Sequence, residues 1–152
     1  MGDANDDGAV RFVDLEVGDE TITHSRTLTE ADVREFAGVS GDFNPLHLSE
    51  SYTADLPFGE PIAHGALLFA VTTGLLWQHR HERPETVAFY GVDSLRFTEP
   101  VTMGTTVQAE SELIEKEPRD HPVGNGLARY ETRLVTDDGS VALSCELLTL
   151  VK

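Results

Sequence analysis

Asp42 and His47 combine two side-chain types that can exchange protons with a bound water, and Asn44-Pro45 lies between them. On a straight helix the facing neighbours come at spacings of three and four, so side chains five residues apart turn away from each other. The residue before a proline avoids the α region, so the chain bends here and can bring both side chains toward one point. A carboxylate and an imidazole that converge on one water form a general acid/base pair. The same residue types also form plain turns, so the motif alone leaves both interpretations open.

A second candidate feature is His64-Gly65, the end of the stretch Pro61-Ile62-Ala63-His64-Gly65. It precedes the most apolar segment of the chain, Ala66–Trp77, and a helix is predicted from about His64 to Gln78. The first N–H groups of a helix are free and carry a partial positive charge. Because glycine lets a ligand oxygen approach the backbone, this position is suited to holding an oxyanion. The alternative is that Gly65 only lets the helix start tightly against a sheet.

The elements that position these residues follow from local signals. Thr29-Glu30-Ala31-Asp32 has the form of a capping box and predicts a helix start. Gly38 and Gly41 are predicted to stop that helix, Pro45 to prevent its renewal, and residues 50–61 to form an irregular loop. The strands are predicted at Thr21–Thr27, Thr86–Phe97, Thr105–Glu115, Leu127–Thr136 and Val141–Val151.

The central helix is apolar on every face, and such a helix must be enclosed. Strands precede and follow it, and no other segment could surround it as a helix bundle. The order of elements therefore predicts an α+β fold in which an antiparallel sheet packs on one dominant helix. We expect a disordered acidic tail at residues 1–10 and a single domain at 11–152.

The composition narrows the possible partners. The chain of 152 residues has a net charge of −16, from 27 acidic and 11 basic residues. Such a surface repels nucleic acid and anionic membranes, and it favours a halophilic origin. No signal peptide is recognisable, and the longest apolar stretch is shorter than the ~20 residues of a membrane span. We therefore expect a soluble, cytoplasmic protein. Cys145, in an alternating strand pattern, is expected to be a buried thiol.

Three blocks of the chain resemble the MaoC-like dehydratases and, within them, the (R)-specific enoyl-CoA hydratases of the hot-dog fold. The blocks are Phe36 to His47, Pro61 to Gly65, and Ser94 to Val101. The resemblance covers about Thr21 to Val151. It implies a sheet wrapped around a long central helix, an acyl-CoA thioester as substrate, a homodimer with its sheets side by side, and no metal or redox cofactor.

The resemblance also implies residue roles. Asp42 and His47 would hold and activate a water that adds to C3 of a trans-2-enoyl thioester, while a proton goes to C2. The Gly65 N–H would hold the negative charge on the thioester oxygen. Residues expected to border the substrate are Asn44, which also fixes the bend, and Thr73, where the family more often has Ser. The far end of the pocket is expected to be shaped by Tyr52, Leu56 and Phe58.

Two other function classes are compatible with the predicted fold. A hot-dog thioesterase commonly needs an acid or other catalytic group on or beside the central helix, and Ala66–Trp77 contains none. A non-catalytic acyl-CoA-binding protein would leave the acid–imidazole pair unexplained. The sequence leaves the acyl chain length and the metabolic pathway open.

Overall fold

The computed structural model describes residues 10–79 and 84–152, so the predicted tail lies outside the described residues except for Val10. Four α-helices are present in these ranges: α1 (Glu30–Ser40), α2 (Pro45–Leu48), α3 (Glu50–Thr53) and α4 (Gly65–Gln78). They are accompanied by five strands: β1 (Glu20–Thr27), β2 (Thr86–Phe97), β3 (Thr106–His121), β4 (Gly124–Thr136) and β5 (Val141–Val151).

The strands form one antiparallel sheet in the order β1-β3-β4-β5-β2, with α4 packed against it. The core consists of one face of α4 and the inward side chains of the sheet. Its members include Leu67, Leu68, Val71 and Leu75 from the helix and Val107, Ala109, Leu134 and Leu143 from the strands. The predicted α+β architecture is therefore confirmed. None of the described helices is long and apolar enough to cross a membrane.

The start of α1 was predicted correctly, and of the two glycines predicted to end it, one does. Thr29 caps the helix, and its side chain and that of Asp32 form both hydrogen bonds of a capping box. Gly41 ends the helix in the left-handed conformation, with φ of 77°. Gly38 lies inside the helix, so its predicted role as a stop is wrong. A single helical glycine costs only about 1 kcal/mol, and the turn that follows supplies the actual termination.

Pro45 was predicted to prevent further helix and instead begins α2, with Asn44 as the N-cap. A proline at the first helical position loses no hydrogen bond, because the N–H there has no partner within the helix. The predicted loop at 50–61 likewise contains the short helix α3, capped by the Ser49 side chain. Both differences arise from N-capping side chains that allow a single turn of helix to form.

The hairpin of β3 and β4 is longer than predicted. The two strands pair as far as His121 and Gly124, well beyond the predicted strands Thr105–Glu115 and Leu127–Thr136. The added residues are polar and glycine-rich and lack apolar alternation, so only the partner strand identifies them as strand. The predictions for β2 and β5 match the observed bounds.

The prediction that α4 is enclosed on all sides is wrong for a single chain. Ala66, Ala70 and Trp77 recur at helical spacing and are exposed. The sheet ends at β2, whose Phe89 and Tyr90 are 52% and 67% exposed. One stripe of the central helix and the edge strand thus leave apolar surface open.

Candidate active site

The bend between α1 and α2 is built from short polar contacts. The Asp42 N–H donates to Ser40 Oγ at 3.1 Å, and the Asn44 N–H donates to Asp42 Oδ1 at 3.2 Å. Asn44 Oδ1 in turn accepts from the Leu46 N–H at 3.0 Å. Consecutive side chains therefore replace the backbone hydrogen bonds that the helix has lost. Asn44 holds the bend, as predicted, and its expected place beside the substrate stays a prediction.

His47 is buried beside this bend, and a backbone carbonyl sets its tautomer. His47 Nδ1 lies 2.7 Å from the Ile62 carbonyl oxygen. Because a carbonyl only accepts, Nδ1 must carry the proton, and in the neutral ring Nε2 is left with a free lone pair. Nε2 lies 3.8 Å from Asp42 Oδ2, and the Asp42 side chain is half exposed. That separation is too long for a direct hydrogen bond and suits a water held by both atoms.

A third side chain, His64, lies directly behind this pair. Its Nε2 donates to the Asp42 carbonyl oxygen at 3.0 Å. Its ring stacks on the His47 ring, with centroids 3.8 Å apart and planes at 27°. The Phe36 ring packs edge-on against the His64 ring, with centroids 5.0 Å apart. Sequence reasoning noted His64 only as the residue before Gly65, and its place in the second family-like block was the available signal.

Gly65 begins α4 directly after His64, which provides no side-chain cap to the helix. A Cβ placed on Gly65 would lie 2.8–2.9 Å from atoms of the Phe97 ring. The absence of a side chain thus admits Phe97 of β2 to the helix start, a second reason for glycine besides ligand approach. Sequence reasoning gave Phe97 no role, although it lies within the third family-like block.

The remaining predicted residues have less defined positions. The Thr73 hydroxyl donates to the Ala70 carbonyl at 2.8 Å, which leaves its oxygen able to accept. Tyr52 is exposed, and Leu56 and Phe58 are half-buried. Among the described contacts, no hydrogen bond or ring contact joins these three to the acid–imidazole pair. Their role in the substrate pocket stays a prediction.

A groove of about 300 Å³ lies between α1 and α4. Its apolar lining comes from Phe36, Val39, Leu67, Ala70 and Val71, with the small residue Gly74 further along. Phe36 also contacts His64, so one end of the groove approaches the acid–imidazole pair. The groove therefore offers apolar surface near that pair.

The cluster of Asp42, His47 and His64 could also be considered as a metal site, since one ligand atom from each lies within 4.8 Å of the others. The geometry fits an ion poorly. The two rings are stacked with planes only 27° apart and centroids 3.8 Å apart, so their lone pairs lie in separate, nearly parallel planes and do not readily meet at one ion. In addition, His47 Nδ1 and His64 Nε2 are occupied by backbone carbonyls. The arrangement suits a water molecule better than a metal ion.

Cys145 is 4% exposed, as expected from the strand pattern. Burial, with a smaller effect of the neighbouring Glu146 charge, raises the pKa of its thiol to about 11. The thiol therefore stays protonated at neutral pH, and a nucleophilic role is not supported.

Comparison with known proteins identifies the class to which this fold and site belong. A family model described as "MaoC like domain" matches residues 14–134. The chain therefore belongs to the MaoC-like family. Within the solved structures, a Mycobacterium tuberculosis protein with a double hotdog fold superposes with a TM-score of 0.76 at 19% identity, covering 95% of this chain and 44% of that one. The predicted hot-dog fold is thereby confirmed.

Relatives with named activities are similar over much of the chain. The (R)-specific enoyl-CoA hydratase of Aeromonas caviae is 38% identical over 132 residues, which is 87% of this chain and 92% of that protein. A protein named MaoC from Klebsiella aerogenes is 41% identical over 97 residues, covering 64% of this chain but only 28% of that longer protein. The monoamine oxidase regulatory protein of Archaeoglobus has a TM-score of 0.87 at 29% identity, covering 94% of both chains.

Proposed function

We propose that this protein is an (R)-specific enoyl-CoA hydratase, a hydro-lyase that adds water reversibly to a trans-2-enoyl-CoA. The observation that carries the proposal is the pairing of His47 Nε2 with the Asp42 carboxylate at 3.8 Å, with the Nδ1 proton engaged by the Ile62 carbonyl. This geometry leaves two proton acceptors directed at one water-sized position. The Aeromonas caviae relative supports the choice of reaction.

The proposed reaction needs no proton from outside the site. The water held by Asp42 and His47 gives one proton to the pair as its oxygen bonds to C3 of the substrate. The pair then returns that proton to C2, so that the elements of water are added across the double bond. The product is the (R)-3-hydroxyacyl thioester, and the pair regains its starting state.

Charge and substrate are accommodated at the start of α4. As water adds, negative charge develops on the thioester oxygen, and the backbone N–H of Gly65 is the proposed donor to it. The half-buried Thr73 hydroxyl is a further proposed polar contact, and Asn44, Tyr52, Leu56 and Phe58 are kept as proposed lining of the pocket. The groove between α1 and α4 is apolar next to the pair and suits an acyl chain.

The active form is proposed to be a homodimer in the cytoplasm. The edge strand β2 has unpaired backbone groups along one side and exposed aromatic side chains, including Phe89 and Tyr90. Such an edge can pair with another chain. A second copy laid along β2 would continue the sheet and cover the exposed stripe of α4. We infer that this is how the central helix becomes enclosed.

One assay separates the three function classes. Wild-type protein is mixed with crotonyl-CoA, and loss of the enoyl absorbance and release of free thiol are followed together. We expect loss of enoyl absorbance without thiol release, and a 3-hydroxybutyryl-CoA product of (R) configuration. Thiol release would instead indicate a thioesterase, and binding without turnover would indicate a non-catalytic binding protein. An (S) product would contradict the assigned stereochemistry.

A further inference from the structure

We propose that His64 is a positioning residue, which sets the locations of both Asp42 and His47 without touching the substrate. The proposal rests on the proposed hydration for its kinetic consequence, but its structural basis is independent of that reaction. His64 is 2% exposed, and it contacts the Asp42 backbone carbonyl and the face of the His47 ring. Its ring therefore has almost no surface open to a substrate.

The first contact holds the acid. His64 Nε2–H donates to the Asp42 carbonyl oxygen at 3.0 Å. The two residues are far apart in sequence, so this bond ties the bend to the start of α4. The other hydrogen bonds described for residues 40–44 come from residues within a few positions, whereas Leu46 and His47, just beyond them, are tied to Ile62. The local bonds shape the turn, and the bond from His64 fixes where the turn lies relative to the helix.

The second contact holds the imidazole. The Ile62 carbonyl fixes one edge of the His47 ring through Nδ1. A hydrogen bond at one atom still allows the ring plane to tilt. The face of His64, 3.8 Å away and nearly parallel, removes that freedom. Together the two constraints direct His47 Nε2 toward the Asp42 carboxylate.

The unpaired nitrogen of His64 indicates that the residue is not there for stability alone. His64 Nδ1 is buried and has no hydrogen-bond partner within the described part of the chain. A buried acceptor without a partner is destabilising. A phenylalanine, although somewhat larger, would keep a ring stacked on His47 and carry no unpaired nitrogen, but it would leave the Asp42 carbonyl without its donor. The imidazole gives one thing that phenylalanine cannot, the Nε2–H donor to Asp42.

Two substitutions separate the two contacts. His64→Phe keeps a stacked ring and removes the donor. His64→Gln removes the ring and keeps an amide nitrogen at the same number of bonds from Cα as His Nε2. As a matched control, Thr72→Val removes a buried hydroxyl of α4, whose hydrogen bond within the described residues is to the Leu68 carbonyl.

The measurements are hydrogen exchange at the amides of Phe43 and Asn44, thermal unfolding, and kcat and KM with crotonyl-CoA. For His64→Phe we expect faster exchange at these amides and a kcat lower by about 100-fold with KM nearly unchanged, since a small misplacement of reacting groups suffices for such a loss. The melting temperature should stay near that of the wild type, because the lost hydrogen bond and the larger ring are offset by removal of the unpaired nitrogen. His64→Gln should restore slow exchange and part of kcat. Thr72→Val should change neither exchange nor kcat.

The outcomes distinguish this proposal from the proposed reaction. If His64→Phe folds and keeps wild-type exchange and wild-type kcat, His64 is not a positioning residue. If it fails to fold, His64→Gln decides alone: exchange at Phe43 and Asn44 as fast as in an unanchored loop overturns the proposal, and slow exchange supports it. If wild-type protein does not hydrate crotonyl-CoA yet exchange responds as expected, the assigned reaction fails and the positioning role stands.

Discussion

At the scale of single residues, the side-chain atoms that fix Asp42 and His47 in place differ from the atoms assigned to the reaction. Asp42 accepts a backbone hydrogen bond at Oδ1 and faces His47 with Oδ2. His47 is held at Nδ1 and offers Nε2. Because holding and reacting atoms differ, a substitution can remove the chemistry and leave the fold intact.

The first prediction uses this separation. Asp42→Asn keeps Oδ1 as the acceptor for the Asn44 N–H but removes the negative charge, and His47→Gln removes the imidazole together with its Nδ1–H donor to the Ile62 carbonyl. Each should lower kcat for crotonyl-CoA by about 10²- to 10⁴-fold. The melting temperature of Asp42→Asn should be close to that of the wild type, whereas His47→Gln should lose about 1 kcal/mol of stability with its hydrogen bond. The exposed residues Asp55 and His24 provide matched controls, Asp55→Asn and His24→Gln, which should retain full turnover. Near-normal turnover of either site variant would remove that residue from the proposed mechanism.

Gly65 provides a second residue-scale prediction. Glycine at this position could serve ligand approach or the packing of Phe97, and the two roles can be tested separately. In Gly65→Ala the new methyl group meets the Phe97 ring, whose half-exposed side chain can turn away. We therefore expect a small loss of stability, of about 1 kcal/mol or less, and a clear loss of hydration. The measurement is kcat/KM for Gly65→Ala, Phe97→Ala and the double variant. If Phe97→Ala is active and the double variant stays inactive, open approach to the Gly65 N–H is what the reaction needs. Recovery in the double variant would instead assign the glycine to packing against Phe97.

At the scale of elements, α1 leads directly into the bend, so its capping box contributes to the position of the site. The Thr29 side chain accepts from the Asp32 N–H, and Asp32 accepts from the Thr29 N–H and from Arg26. Partial burial raises the pKa of Asp32, but the hydrogen bonds from Thr29 and the charge of Arg26 outweigh it, so the net pKa lies below the ordinary value. Asp32 therefore stabilises the folded chain in its ionised form.

The third prediction concerns this capping box. Thr29→Ala should lower the free energy of unfolding at pH 7 by about 1 kcal/mol, since the Asp32 N–H loses its cap, whereas Thr29→Ser should be nearly neutral. A group whose folded pKa is depressed stabilises above its unfolded pKa and loses that effect as pH falls. The contribution of Asp32, compared with Asp32→Asn in urea unfolding, should thus be full at pH 7 and decline below about pH 4. A difference between the two proteins that grows on acidification would contradict this assignment.

At the scale of the whole molecule, the exposed stripe of α4 and the edge strand β2 leave apolar surface uncovered in the single chain. Phe97 belongs to the same strand and lies against Gly65, so the interface proposed along β2 and the site share an element. The net charge of −16 acts against association at low ionic strength and is screened by salt. The halophilic origin inferred from that charge stays a prediction.

The fourth prediction tests the dimer. Wild-type protein should have the mass of two chains by light scattering coupled to gel filtration at physiological salt. Tyr90→Asp places a charge on the exposed side of β2 and should give a monomer, because an unpaired charge in an apolar interface is costly. Val123→Asp, at an exposed apolar position in the β3–β4 turn, is the matched control and should stay dimeric. A wild-type monomer, or a Tyr90→Asp dimer, would contradict pairing along β2.

The features that depend on near neighbours could be predicted from the sequence. The capping box of α1, the left-handed glycine at 41, the bend at Asn44-Pro45 and the alternation of β5 each involve residues within a few positions of one another, and each was predictable for that reason. Errors arose where a local signal had two outcomes: Gly38 was compatible with a helix interior, and Pro45 with a helix start.

The contacts that bring the acid–imidazole pair together with its supporting residues depend on tertiary packing. The His47 tautomer depends on the Ile62 carbonyl, the Asp42 backbone depends on His64, and the helix start depends on Phe97 from the edge strand. The extent of the β3–β4 hairpin and the exposed stripe of α4 could not be predicted from local sequence either. Each depends on residues brought together by packing of α4 on the sheet, and no periodicity or local spacing encodes which distant atom meets which.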